Sequence, residues 1–273
     1  MIEDLVQVAR IAGREIISIY NSNFEIQTKS DQSPVTRADL TAHAAIMREL
    51  HHLDPSIPVL SEESASPVFS TRRSWKRYWL VDPLDGTKNF VERNDEFTVN
   101  IALIENGMPL LGVVGVPIHD CVYTGDVAAG VAMKHIDGHK ASINSRRLQT
   151  NYATLLESRH NTTSENDLVA NHLVRRYRTS VKRTQMGSSL KICTIAEGKA
   201  DLYLRIGATS EWDIAASSAV LTAAGGDLRL LNGTPKRYNQ QDSVLNASFF
   251  ACGDKPDYWT SVICDALPDL SSL

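Results

Sequence analysis

The stretch Trp79-Leu80-Val81-Asp82-Pro83-Leu84-Asp85-Gly86-Thr87-Lys88-Asn89-Phe90 begins as a strand and ends as a turn. Its apolar start, Tyr78 to Val81, reads as a buried strand that Asp82-Pro83 stops. Pro83 fixes its own φ and lacks a donor, so the chain turns as the first carboxylate leaves the sheet. Gly86 allows close backbone approach, and Thr87 opens a short helical turn whose N–H groups can face an anion. Two carboxylates, the Leu84 carbonyl, a hydroxyl and several N–H groups thus converge at the carboxyl end of a strand. Hard divalent cations take oxygen ligands of this kind, and Mg²⁺ in particular shares phosphate oxygens. The same Asp-Pro-x-Asp-Gly text also makes an ordinary turn, so other segments must decide between the two.

Upstream, Pro58-Val59-Leu60-Ser61 is a short apolar strand that ends in Glu62-Glu63. Adjacent carboxylates repel each other unless they are solvated or bridged by a cation. The gap from Glu62 to Asp82 suits two neighbouring strands. Before them, Ile2 to Tyr20 places Leu5, Val8, Ile11, Ala12, Ile16 and Ile19 at helical spacing, which predicts a core-facing helix. Lys29 to Thr36 reads as an exposed loop. A second helix is predicted from about Thr36 to Leu53, with Leu40, Ala44, Met47 and Leu50 on its apolar face. Asp39 falls in its first turn, where an acid stabilises a helix without any chemistry. Arg72, Arg73, Lys76 and Arg77 read as a solvated basic face, with phosphate contact as the alternative.

Downstream, strands at Phe97–Ile104, Leu110–Val116 and Cys121–Thr124 with turns between them predict an antiparallel meander packed on the first two helices. Residues 128 to 152 carry little pattern and read as a junction between halves, 1–150 and 151–273. Beyond it, strand Ala153–Glu157, helix Glu165–Tyr177, an extended piece, helix Ile192–Glu197 and strand Asp201–Arg205 alternate as in an α/β unit. Trp212 and Asp213 precede an alanine-rich helix, Ala215–Ala224, that closes at Gly225-Gly226, and a last helix lies near Tyr258–Ala266.

Composition narrows the classes. The 273 residues suffice for a large core, and 42% hydrophobic with 22% charged residues is globular. A net charge of −4 argues against a nucleic-acid binder. Cys121, Cys193, Cys252 and Cys264 are widely spaced, which predicts reduced thiols rather than zinc or disulfides. The acidic start Met1-Ile2-Glu3-Asp4 is unlike a signal peptide, and Ile101–Ile118 is too interrupted to span a bilayer.

The order Glu62-Glu63, Asp82-Pro83-Leu84-Asp85-Gly86-Thr87 and Trp212-Asp213-x-Ala215-Ala216 closely resembles the inositol monophosphatase superfamily. Within it the chain is more similar to the bacterial 3′(2′),5′-bisphosphate nucleotidases of the CysQ type. Ser33-Pro34-Val35-Thr36, Tyr78-Trp79-Leu80-Val81-Asp82, Glu96 to Leu103 and Gly187-Ser188-Ser189-Leu190-Lys191 carry that likeness. The resemblance implies an α/β fold, a layered αβαβα sandwich of the inositol monophosphatase and sugar phosphatase type. It also implies two or three Mg²⁺ ions: one at Glu62, Asp82 and the Leu84 carbonyl, one among Asp82, Asp85 and Asp213, and a weaker one at Glu63. Asp39 and Thr87, with Glu62, would orient and deprotonate the attacking water. Gly86, Thr87, His160, Gly187, Ser188, Ser189, Lys191, Arg205 and Asp213 would meet substrate. For Lys191 a solvated helix lysine is the alternative.

The implied activity is magnesium-dependent, lithium-sensitive hydrolysis of adenosine 3′,5′-bisphosphate to AMP and phosphate, with the sulfated nucleotide as a further substrate in sulfur metabolism. An inositol or sugar monophosphatase on the same centre and a catalytically silent nucleotide-binding protein are the rivals. The expected partner is a small nucleotide bisphosphate, not a nucleic acid polymer. The chain is expected to be a cytoplasmic monomer or weak homodimer, with peripheral contact to the inner membrane face left open.

Overall fold

Helix α1 (Ile2–Tyr20) lays Leu5, Val8, Ala12, Ile16 and Ile19 against a sheet, the stripe that its spacing predicts. The computed structural model describes residues 1–28, 34–149, 151–207 and 209–271, so Lys29 to Ser33 of the expected loop lie outside the described residues. A small antiparallel ribbon, β1 (Ile26–Thr28) and β2 (Pro34–Thr36), leads to α2 (Arg37–Leu53). The first sheet then assembles in chain order. It holds β3 (Val59–Ser61), β4 (Arg77–Asp85) after α3 (Phe69–Arg72), and β5 (Thr98–Glu105) after α4 (Thr87–Glu92). β6 (Met108–Val116), β7 (Cys121–Asp126), β8 (Val131–Ile136) and β9 (His139–Ser142) complete it. β3 runs parallel to β4, and each later neighbour pairs antiparallel.

The remaining chain builds a mixed sheet ordered β11-β10-β12-β14-β13. Its strands are β10 (Tyr152–Ser158), β11 (Ser180–Met186), β12 (Leu202–Arg205), β13 (Asp227–Leu230) and β14 (Phe249–Cys252). Helices α5 (Ser164–Tyr177), α6 (Leu190–Ala196), α7 (Glu211–Ala223), α8 (Pro256–Ala266) and α9 (Pro268–Ser271) intervene or follow.

Strand alternation sorts the core into layers. Trp79, Val81, Ile101 and Leu103 face α1 and α2, whereas Tyr78, Leu80, Ala102 and Ile104 face α6 and α7. The opposite side of those two helices receives Leu156, Tyr203, Phe249 and Ala251 of the second sheet. The far face of that sheet, with Leu155, Leu202, Leu204 and Phe250, is closed by Trp259, Val262 and Ile263 of α8 and Leu173 of α5. The result is the αβαβα order. Among the described residues no helix is long and apolar enough to cross a membrane, and all four cysteines are unpaired.

Several expectations need correction. α2 buries Ala38, Ala42, Ala45, Ile46 and Leu50, while Leu40 is 51% exposed. Side-chain size does not mark the buried face here, because small alanines are what let one helix lie close to another. Residues 131–142 form the last two strands of the first sheet, with β9 at its edge, rather than a featureless junction, their alternation masked by polar residues on the open face. Arg72 is not solvated. It is buried at 1% exposure over the Phe69 ring and donates to Asn239 and the Asp242 carbonyl; Arg73, Lys76 and Arg77 remain exposed. Finally, α7 starts at Glu211, so Trp212 and Asp213 belong to its first turn.

α7 is buried nearly all round, and the glycines beneath it make that possible. A Cβ on Gly112 of β6 would meet Ala219 Cβ at 2.7 Å, and one on Gly125 of β7 would meet Val220 Cα at 2.5 Å. Gly112→Ala is therefore expected to lower stability by about 1–3 kcal/mol through overpacking. The check is a lower urea midpoint at unchanged m-value; an unchanged midpoint contradicts this packing.

Candidate active site

Three separate chain segments bring carboxylates to one point. Ser61 of β3 is in register with Val81 of β4, and the Glu62 N–H donates to the Val81 carbonyl at 3.2 Å, so Glu62 arrives beside Asp82. β4 does not stop at Asp82-Pro83 as the sequence suggests. Asp82 pairs with Asn100, and the register slips before Asp85 pairs with Thr98. Pro83 sits in this bulge, where its missing N–H breaks no ladder bond. The Leu84 N–H turns back to Asp82 Oδ1 at 3.0 Å. From the other side, Asp213 occupies the first turn of α7 in a reciprocal cap with Ser210, whose N–H donates to Asp213 Oδ2 at 2.8 Å. Donor oxygens of Glu62, Asp82 and Asp213 all lie within 4.8 Å of one another.

Asp85 is held differently. Its Oδ2 accepts from the Ser189 N–H at 2.6 Å, the Thr98 hydroxyl at 3.2 Å and the Asn100 amide at 3.4 Å. The Ser189 hydroxyl in turn donates to Asn100 Oδ1 at 2.8 Å and lies 2.8 Å from the Thr98 hydroxyl. Through one carboxylate oxygen, Thr98 and Asn100 of the first sheet are thus joined to Ser189 at the start of α6.

Burial first, then the charges of Glu62, Asp85 and Asp213, push Asp82 well above the usual carboxylate range. Asp213 is driven up by burial and by Asp85, against the Ser210 N–H that favours its charged form. Burial also raises Asp85, opposed by Lys191 and by its hydrogen bonds. An oxygen-only donor set whose members raise one another's pKa fits a hard divalent cation, which would relieve the repulsion.

Asp39 caps its helix and also reaches the Thr87 hydroxyl. Its Oδ2 accepts from the Thr36 N–H at 2.7 Å and the Thr36 hydroxyl at 2.8 Å, capping α2. Its Oδ1 lies 3.1 Å from the Thr87 hydroxyl, which also stands 3.3 Å from the Leu84 carbonyl. One hydroxyl proton serves one acceptor at a time, so Asp39 turns the Thr87 lone pairs when it receives that proton.

A cleft of about 390 Å³ opens over this centre. Glu62, Asp82, Leu84, Asp85, Gly86, Thr87, His160, Gly187, Ser188, Ser189, Lys191, Arg205 and Asp213 all line it. Asp39 stands behind Thr87, and Glu63 falls outside the lining, its charge felt at Asp39 and His43. Lys191 is not a solvated helix lysine. It is 4% exposed, donates to the Ser188 carbonyl at 2.6 Å and the Met186 carbonyl at 3.3 Å, and lies 5.0 Å over the Tyr203 ring. Burial lowers its pKa to about 8.

Sequence reasoning passed over the residues that shape the cleft rim. Glu96 accepts from the Gly187 N–H at 2.7 Å and from Arg159 Nε at 2.7 Å. Asn89 Oδ1 meets His160 Nε2 at 2.9 Å and accepts from the Asn94 amide at 2.9 Å. The N–H groups of Gly187 and Ser189 are therefore engaged by carboxylates and fix the turn. Thr98 and Asn100 had a readable signal: two polar residues inside an otherwise apolar strand.

A family model for the inositol monophosphatase family matches residues 1–269. The chain belongs to this family. Membership in the inositol monophosphatase family makes it a phosphoric monoester hydrolase, and the family's dependence on metal agrees with the acidic cluster. Among its relatives is the 3′(2′),5′-bisphosphate nucleotidase CysQ of Escherichia coli (strain K12), 43% identical over 251 residues, covering 91% of this chain and 98% of that protein. The CysQ nucleotidase of Haemophilus influenzae is 32% identical over 263 residues, covering 96% of each chain. The crystal structure of CysQ from Bacteroides thetaiotaomicron, a bacterial member of the inositol monophosphatase family, superposes with a TM-score of 0.79 at 35% identity. It covers 93% of this chain and 97% of its own. An inositol monophosphatase from Anabaena shares the fold at a TM-score of 0.75 and 22% identity, over 100% of this chain and 98% of its own.

The raised carboxylates have a consequence for stability. The native state keeps protons that the unfolded chain releases above its ordinary aspartate pKa of 3.8. This part of the stability is lost as pH rises from there through the raised native values. In chelator, Asp82→Asn is expected to raise the melting temperature and to flatten its fall as pH rises above 3.8, and with divalent metal restored its hydrolysis is abolished. A lower melting temperature, or retained turnover, contradicts the repulsive cluster.

Proposed function

We propose that the cleft hydrolyses the 3′-phosphate of adenosine 3′,5′-bisphosphate, releasing AMP and phosphate, and acts likewise on the sulfated nucleotide in sulfur metabolism. The observation that carries this reading is that one cleft is lined both by the carboxylate cluster of Glu62, Asp82 and Asp213 and by two cationic side chains, Lys191 and Arg205. A monophosphate ester needs only the carboxylate cluster and its cations, whereas the second phosphate of a bisphosphate suits a cleft that also carries positive charge. Identity of 43% to a bisphosphate nucleotidase supports the same choice.

Mg²⁺ suits the oxygen ligands. Glu62, Asp82 and the Leu84 carbonyl would hold one ion, Asp82, Asp85 and Asp213 a second, and Glu63 a weaker third. Bound there, the ions would neutralise phosphate charge and clamp the attacking and leaving oxygens. The protein groups do the positioning. The Asp39–Thr87 pair, with Glu62, orients the attacking water and draws its proton. The Gly86 and Thr87 N–H groups at the start of α4 hold phosphate oxygens. His160, held by Asn89, and the Gly187–Ser189 turn, held by Glu96 and Asp85, shape the nucleoside side. Phosphoryl transfer requires alignment and charge neutralisation above all, so no covalent nucleophile is needed. Lithium inhibition and a cytoplasmic setting accompany this reading.

The test is phosphate release from adenosine 3′,5′-bisphosphate, inositol 1-phosphate and fructose 1,6-bisphosphate, side by side. The nucleotide is expected to lead in kcat/KM by about tenfold or more, with all activity lost in chelator. A preference for either sugar ester, or indifference to chelator, contradicts the proposal.

A further inference from the structure

We infer that residues 236–246 form a strap that sets the position of Asp213, with Arg72, Asn239 and Glu211 as positioning residues. The strap is anchored at one end to the β5–β6 turn. There the Tyr238 N–H donates to the Gly107 carbonyl at 3.0 Å and Arg237 donates to the Asn106 carbonyl at 2.8 Å. At the other end it grips the start of α7. The Glu211 N–H donates to the Val244 carbonyl at 2.8 Å, the Asn246 N–H to the Thr209 carbonyl at 2.7 Å, and the Asn246 amide to the Ser210 carbonyl at 2.7 Å.

Between these ends lies a buried polar bridge. Glu211, 2% exposed, accepts the Asn239 N–H at 2.8 Å through Oε2 and the Lys236 ammonium at 3.1 Å through Oε1. Asn239 accepts from the buried Arg72 guanidinium and returns its own amide to the Arg72 carbonyl at 2.7 Å. Its φ of +57° lies in the left-handed region, which the flanking hydrogen bonds hold in place. Burying a guanidinium and a carboxylate without direct contact is costly, and it needs every partner in place. None of these groups touches the cleft except through the first turn of α7.

That turn is the link. Ser210 is tied to the strap through its carbonyl and to the Asp213 carboxylate through its N–H, so the same residue registers both. Asp213 Oδ2 is thereby fixed, and the carboxylate is aimed at Glu62 and Asp82 across a span of 4.8 Å at most. A small slide of α7 would open that span, and apart from packing α7 resists it at this turn with the long bond from the Asn100 amide to the Asp213 carbonyl, 3.4 Å.

The inference rests on the reading of Glu62, Asp82 and Asp213 as metal ligands, and the experiment separates the two. Mn²⁺ is titrated into the full-length wild type, Asn239→Gly and Glu211→Gln, with free Mn²⁺ read by electron paramagnetic resonance. Glycine keeps the left-handed backbone and its N–H on Glu211 but removes both side-chain links to Arg72, and Glu211→Gln carries the test alone if the first chain does not fold. Asp201→Asn serves as a control, since it weakens the pair between the half-buried Arg146 and the buried Asp201, away from the site. The strap variants are expected to bind Mn²⁺ about 10- to 100-fold more weakly, with kcat returning toward wild type at saturating Mn²⁺, while Asp201→Asn binds as wild type. Unchanged Mn²⁺ affinity in the folded strap variants, or an equal loss in Asp201→Asn, overturns the strap and leaves the metal reading standing. A wild type that binds no Mn²⁺ overturns both.

Discussion

Like charges forced together out of water govern this molecule. Asp82 is 2% exposed, and its carboxylate shares a small volume with those of Glu62 and Asp213. In bulk water such repulsion would be slight, but near a protein interior a pair of charges 4 Å apart interacts by about 4 kcal/mol. The fold has to hold these groups against that force. It does so with secondary structure: β3 beside β4 fixes Glu62 against Asp82, and the packed helix α7 delivers Asp213 from beyond the sheet. A site built on strands and a buried helix keeps its geometry, whereas loops would let the carboxylates part.

The layered architecture explains why the cleft lies where it does. α6 and α7 are sandwiched between the two sheets, and the ends of both helices open onto the same place. The Ser189 turn enters α6 while reaching the Asp85 carboxylate, and Glu96 reaches back to Gly187. Residues that would meet the nucleoside are consequently linked by hydrogen bonds to residues that would meet the cation.

Much of this was legible in the chain itself. Asp82-Pro83-Leu84-Asp85-Gly86-Thr87, Glu62-Glu63 and Trp212-Asp213 each pointed to acids at element ends, and the structure brings Glu62, Asp82 and Asp213 together. The meander was readable because β5 and β6 are long, apolar and separated by Asn106-Gly107. What escaped the reading has common physical causes. Pro83 looked like a terminator because a β-bulge, which tolerates it, is defined only by the partner strand. Leu40 looked like core because size outweighed position, although the alanines of α2 do the packing. Arg72 looked solvated because nothing nearby in sequence announces Asn239, its partner 167 residues away. Glu96, Asn89 and Arg159 are ordinary polar residues until the two sheets face each other.

The most direct measurement is anomalous diffraction from crystals soaked in Mn²⁺. The account predicts an anomalous peak bounded by Glu62, Asp82 and Asp213, at about 2 Å from their carboxylate oxygens. Carboxylates found in this arrangement with no peak between them, or a peak at another place alone, would contradict it.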